Sequence, residues 1–192
     1  FVGNWLSATE YMFVNKEGKR FINEDNTRYA ISMAELEQTD GQMYLIVDSS
    51  EINGDDTRNE LIEKLLDDGH SVKADTLEEL AEVSGLKDLV STVETFNNAV
   101  DSGTDEEFGR DTSTMTKIEN GPFYALHAQR AILGTFGGLK TQVTGEVLNT
   151  EGNVINGLYA AGEMANGEFF PVIYPASGSS ISECVTLGRE AG

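Results

Sequence analysis

The chain of 192 residues carries 33 Asp and Glu against 13 Lys and Arg, a formal net charge of -20, which argues against nucleic acid or anionic membrane as a partner. An apolar share of 39% and a charged share of 24%, with 20 Gly and only 3 Pro, fit a folded globular chain rather than a disordered one. A lone cysteine, Cys184, excludes an internal disulfide, and no run approaches the apolar length of a transmembrane segment.

In chain order, YMFV (11 to 14) and MYLIV (43 to 47) are short apolar runs beside turn signals, and both predict strands. Between them a helix capped by Asn26 or Thr27 is expected to bury Ala30, Met33, Ala34 and Leu36. From 57 to 103 the pattern is helical and acidic. Thr57 caps a segment with Leu61, Ile62, Leu65 and Leu66 on one face, ended by Gly69, and Thr76 with Glu79 forms a capping box closed by Gly85. Leu86, Leu89, Val90, Val93 and Val100 repeat at helical spacing before Gly103, which marks core rather than a cofactor box.

Charge thins and glycine thickens after about residue 115, and a domain boundary is expected near 120. GEVLNTEGNVINGLYAAGE predicts a hairpin turning at Glu151, Gly152 and Asn153. A final helix from Ser179, with Ile181, Cys184, Val185 and Leu187 as its apolar positions, follows YPASGSS directly. The single histidines His70 and His127 form no metal pattern, and Cys184 reads as core.

A strand ending in a small-residue turn at Gly162 and Glu163, with a helix opening on SGSSIS, has the physical parts of a nucleotide or flavin site. Glycines admit a planar or phosphorylated ligand, and a helix start attracts negative charge. Such parts also occur in α/β proteins that bind nothing.

The ordered set is more specific. NKEGKRFINEDNTR (15 to 28), MYLIVDSS (43 to 50), DEEFGRD (105 to 111), GPFYAL (121 to 126), GTFGGLKTQVTGEVLN (134 to 149), INGLYAAGE (155 to 163) and SGSSISECVTLGREAG (177 to 192) run along nearly the whole chain. Together they resemble the flavoprotein family of fumarate reductases, urocanate reductases, succinate dehydrogenase flavoprotein subunits and 3-ketosteroid dehydrogenases. The resemblance implies an α+β fold: a capping domain of helices with a small sheet, plus the strand-rich C-terminal segment of a Rossmann-like FAD-binding domain. Residues 1–14 would end an upstream FAD-domain segment, 15–120 would be the capping domain, and 121–192 would return to the FAD-binding domain. The glycine-rich phosphate loop would lie upstream in the same protein, so the chain reads as a fragment, inactive alone, whose partners are that segment and a small-molecule substrate.

The cofactor implied is FAD. Gly137 and Gly138 would pass close to the isoalloxazine, and Gly162 and Glu163 would meet the pyrophosphate and ribityl part. Ser180 and Ile181 would set a helix N-terminus against the flavin. Glu163 also admits a plain reading as an exposed carboxylate. Glu24 and Arg28 match the family's proton-relaying Glu and Arg, with a helix-start ion pair as the alternative.

Three positions depart from the fumarate reductases: Gly134 stands for their His, Pro175 for their substrate Arg, and Ile52 for their catalytic Arg. A desolvated dicarboxylate needs such cations, so fumarate and succinate are disfavoured. IYPASGSSIS is similar to the terminal loop of the 3-ketosteroid dehydrogenases, which implies that the Tyr174 hydroxyl and the Gly178 N–H polarise a ketone oxygen. Phe169, Phe170 and Ile173 would form an apolar wall beside them. Tyr174 as a merely structural residue stays open. The rival class is a non-catalytic acidic binding domain with a degenerate flavin site.

Overall fold

The computed structural model describes residues 10–52, 56–128, 134–170, 176 and 178–192. The chain divides into two compact units, 1–130 and 131–192.

The first unit is built on a four-stranded sheet ordered β1-β2-β4-β3, comprising β1 (Met12–Asn15), β2 (Met43–Asp48), β3 (Val72–Ala74) and β4 (Phe123–Ala128). All its pairings are antiparallel, with Leu45 facing Phe13 on one side and Leu126 on the other. Successive strand residues point to opposite faces. Leu45, Ile46 and Val47 are nevertheless all at most 1% exposed, so both faces are covered, and this is why the strands read as unbroken apolar runs. The cover comes from α1 (Arg28–Leu36), α3 (Asp56–Asp67), α4 (Leu77–Ser84) and α5 (Leu89–Ser102), with the short α2 (Ser49–Ile52) following β2. Ile31, Ile62, Leu80 and Phe96 join the strands in one core.

Several local expectations hold. Thr27 caps α1 by accepting from the Ala30 N–H, Thr76 caps α4 by accepting from the Glu79 N–H at 3.1 Å, and Gly85 and Gly103 end α4 and α5 with φ of 75°. Others need correction. Thr57 lies inside α3, which opens at Asp56. In α1 the buried residues are Ile31 and Glu35, while Met33 and Leu36 are exposed, because α1 turns a different phase of its surface to the sheet. β3 interrupts the segment read as wholly helical. Three residues on a sheet edge are too short a run to show alternation. The boundary expected near 120 moves to 130, since β4 is a central strand of the first sheet, and β1 belongs to that same sheet through β2.

The second unit holds β5 (Gly137–Gly138), β6 (Glu146–Leu148), β7 (Val154–Tyr159), a 3-10 turn at Gly162–Met164, α6 (Asn166–Phe169) and α7 (Ser179–Ala191). β6 and β7 pair as the expected hairpin. Its turn is closed by Asn149, whose side-chain oxygen accepts from the N–H groups of Glu151 and Asn153, and Gly152 supplies a φ of 83°. The core is small: Val147, Ala160, Ala165 and Leu187. α7 turns Glu183 and Leu187 inward and leaves Ile181 72% and Val185 66% exposed, with Cys184 exposed too. Of the four expected apolar positions, Leu187 is buried as expected, whereas Ile181, Cys184 and Val185 lie on the outer face of this helix, and Cys184 is not core.

Candidate flavin half-site

Two glycine-bearing stretches of the second unit run side by side. The Gly137 N–H donates to the Phe170 carbonyl at 3.0 Å, and the Leu139 N–H donates to the Met164 carbonyl at 2.8 Å. Gly138, at φ 128°, lies so near this partner that a Cβ would stand 2.5 Å from the Met164 oxygen, which closes the position to larger residues. Gly137, at φ 74°, would meet no atom of the described residues within 4 Å of such a Cβ. One stretch thus locks β5 to the turn behind it and leaves an open glycine surface alongside.

Gly162 opens that turn at φ 75°, with Cys184 Sγ 3.5 Å from its virtual Cβ. Glu163 follows, exposed, its carboxylate lying over Gly134, with Oε2 3.5 Å from the Thr135 hydroxyl. α7 is entered through Gly178 at φ 88°, whose carbonyl accepts from the Ser182 N–H at 3.0 Å. Ser180 and Ile181 lie in the first turn, where the helix dipole is positive. An open glycine surface, an exposed acceptor and a helix start match the chemical needs of a flavin's planar, hydroxylated and anionic parts, so the residues present fit FAD. Tyr174, Pro175 and Ile173 lie outside the described residues, as does the side chain of Ile52. Phe170 is 8% exposed and packs inward, whereas Phe169 is 40% exposed.

In the first unit Glu24 is 3% exposed and held by four donors. Oε1 accepts from the Phe13 N–H at 3.3 Å and Arg20 Nε at 3.0 Å; Oε2 accepts from Arg20 Nη2 at 2.8 Å and Arg110 Nη1 at 3.3 Å. Arg28 is exposed at the start of α1. The helix-start ion pair is not formed: Glu24 is taken by Arg20 and Arg110. Arg20 also donates to both oxygens of Asp105 at 3.1 Å, and its guanidinium lies over the rings of Phe96 and Phe108. Burial alone would disfavour its charge, yet the bonds to Glu24 and Asp105 outweigh that and raise the Arg20 pKa. Burial likewise pushes Asp105 up, but Arg20 overcomes it and the net pKa is lowered. Sequence reasoning missed Arg20, Asp105 and Arg110 as a buried cluster. Their signal was an Arg within each of two charged motifs, GKRF and EEFGRD, that lie far apart in the chain.

His127 on β4 stacks near Tyr44 and His70, at 5.1 and 5.9 Å between ring centroids. Burial foremost, then the His70 charge, lowers its pKa, with Asp68 opposing. Among the described residues no group of three His, Cys, Asp or Glu is placed to hold a metal ion, and no helix is long and apolar enough to cross a membrane.

Residues 9–181 match the family described as "FAD binding domain". The chain belongs to this family. Within the FAD-binding family it is 38% identical over 188 residues to the NADH:acrylate oxidoreductase of Vibrio harveyi, covering 95% of this chain and 18% of that protein. It is 40% identical over 145 residues to a 3-oxosteroid 1-dehydrogenase of Mycolicibacterium smegmatis, covering 65% of this chain and 25% of that one. Its fold matches the open conformation of a flavocytochrome c3 fumarate reductase with a TM-score of 0.73 at 32% identity, covering 97% of this chain and 32% of that chain. The chain therefore spans a third or less of the length of these relatives. The expected resemblance, the mixed α and β fold and FAD as the family's cofactor all agree with these matches.

Proposed function

We propose that this chain is the substrate-capping part and closing segment of a longer FAD-dependent oxidoreductase acting on a carbon–carbon double bond conjugated to a carbonyl. When bound, FAD would supply hydride exchange at N5. The observation that carries this reading is the open glycine surface at Gly137 with the exposed Glu163 carboxylate and the α7 start in the same unit. In it, Gly137 and Gly138 line the isoalloxazine, Gly162 and Glu163 meet the ribityl and pyrophosphate part, and Ser180 and Ile181 favour negative charge on the flavin. Tyr174 and the Gly178 N–H hold the substrate carbonyl oxygen. Arg28, exposed and not bonded to Glu24, is the better placed of the proposed relay pair to meet a substrate, while Glu24 braces the loop before it.

The exposed outer face of α7 supports the reading of a fragment, because Ile181 and Val185 offer apolar surface that an upstream FAD-binding segment would cover. Titration of the 192 residues with FAD tests this directly. Weak or absent binding is expected, since half a site offers too few contacts to offset ligand ordering; sub-micromolar binding would refute it. In the full-length protein, fumarate reduction by reduced viologen is expected to be slow, given Gly134, Pro175 and Ile52 in place of cations. Tyr174→Phe is expected to lower turnover about a hundredfold or more with flavin retained.

A second reading, a non-catalytic acidic binding domain, is favoured by the full engagement of Glu24 with Arg20 and Arg110. A visible absorption spectrum of the longer protein separates the two, since only the first requires bound flavin.

A further inference from the structure

Three carboxylates buried in the first unit are met by donors. Glu24 accepts from Phe13, Arg20 and Arg110, Asp48 from the N–H groups of Ser50, Glu119 and Asn120, and Asp105 from the Arg20 guanidinium and the N–H groups of Glu107 and Arg110. Glu183, in the second unit, differs. It is 8% exposed on the inner side of α7, and its Oε1 has no hydrogen-bond partner among the described residues. Its Oε2 lies 3.8 Å from the Cys184 thiol, a weak donor. A carboxylate withdrawn from water without donors is far more costly than a paired one, so the arrangement calls for a donor from outside the described residues.

The same unit lacks cover elsewhere. α7 packs against the turn Gly162–Met164, into which β7 runs. Among the described residues β7 pairs with β6 alone, so its other edge is open, and it leaves Ile155, Leu158 and Tyr159 exposed. An open strand edge bearing apolar side chains is a surface that folded proteins cover with further chain. The flavin hydroxyls already have an acceptor in the exposed Glu163, whereas Glu183 faces inward beside Leu187. A protein donor packed against this unit answers both the open edge and the unmet carboxylate.

We propose that Glu183 is an anchoring residue, whose carboxylate accepts from a cationic or backbone N–H donor of the upstream FAD-binding segment and so ties α7 to it. The proposal rests on the reading of the chain as part of a longer FAD-dependent protein, since the chain spans a third or less of its relatives. Hydrogen exchange of the α7 amides tests it, compared between the 192-residue chain and the full-length apoprotein, with FAD affinity of the full-length protein read from flavin fluorescence. In the 192-residue chain Glu183→Gln is expected to leave α7 exchange unchanged or slower, because a neutral amide costs less to bury than an unmet carboxylate. In the full-length apoprotein the same change is expected to speed it about tenfold or more, the scale of one hydrogen bond to a charged group. Glu183→Leu, which offers no acceptor, should widen the contrast, and where it fails to fold Glu183→Gln still decides.

Faster α7 exchange on Glu183→Gln in the 192-residue chain would place the donor within this chain and overturn the anchor. Unchanged exchange in the full-length apoprotein overturns it too: if FAD affinity then falls about tenfold the donor is the cofactor, and if affinity is kept the carboxylate has no partner at all. A full-length protein that binds no flavin sinks the reading of an FAD-dependent enzyme, while the exchange comparison still judges Glu183.

Discussion

The two units solve the burial problem to different extents. In the first, neighbouring residues of β2 are buried on both faces of the sheet, and of the charged groups taken inside, Arg20, Glu24, Asp105 and Arg110 pair with one another while Asp48 accepts from the N–H groups of Ser50, Glu119 and Asn120. In the second, the buried apolar side chains among the described residues are Val147, Ala160, Ala165, Phe170 and Leu187, β7 leaves Ile155, Leu158 and Tyr159 exposed, and Thr141 Oγ1, Asn166 Oδ1 and Glu183 Oε1 are buried with no hydrogen-bond partner among the described residues, against Asn59 Oδ1 in the first. Unpaired buried polar atoms are costly. The difference teaches where stability and ligand chemistry reside: the first unit is closed on itself, whereas the second carries open surface and the glycine-lined half-site.

Hydrogen exchange on the intact chain should show the largest contrast. Amides of β2 and β4 are expected to exchange only by global unfolding, and those of β6 and β7 orders of magnitude faster. Equal protection of the two strand pairs would erase the distinction.

Mutation should follow the same ranking. Phe96→Ala, at a fully buried site, is expected to cost about 3–5 kcal/mol in denaturant melts. Glu24→Ala is expected to cost about 3–5 kcal/mol as well, because it strands Arg20 and Arg110 inside without their shared carboxylate. Ile181→Ser, on the outer face of α7, should change stability by no more than about 0.5 kcal/mol. A larger loss there would mean that α7 is covered.

Two pH effects sharpen the picture of the first unit. Asp105 has its folded pKa lowered beneath the usual 3.8. It therefore contributes stability that is present above that value and lost as pH falls through the folded pKa. Asp105→Asn should accordingly make the parent's acid limb shallower between about pH 5 and about pH 2. His127 is lowered from 6.5, so the unfolded chain takes up its proton first and stability declines as pH falls below that value. His127→Gln should flatten this smaller step in melts taken across about pH 7 to pH 5.

Much of the local structure was legible in the sequence because its causes are local. Thr76 and Gly85 bound α4 through a side-chain oxygen and a left-handed φ of 75°, and Asn149 with Gly152 closes the hairpin within a few residues of chain. The glycines of the half-site were legible for the same reason, since Gly138 and Gly162 serve backbone geometry. What could not be read is what depends on distant chain. Spacing alone cannot say that Met33 faces outward while Ile31 faces the sheet, or that Ile181 and Val185 are the outer residues of α7, because a helix carries several apolar stripes and its neighbours choose one. Nor does Glu24 announce its partners. Arg28 and Arg20 both lie four residues from it, yet it is bound by Arg20 and by Arg110, the latter 86 residues away.

By itself the sequence determined the mixed fold, the caps, the turns and the glycine pattern of the flavin family, since each is specified by a side chain acting on its own backbone. Only the tertiary structure decided which faces are buried, that Glu24 belongs to a buried charge cluster, and that Glu183 is buried with an oxygen unmet among the described residues. Those outcomes depend on the packing of segments far apart in the chain, where the desolvation of charge selects among arrangements that the sequence leaves equal.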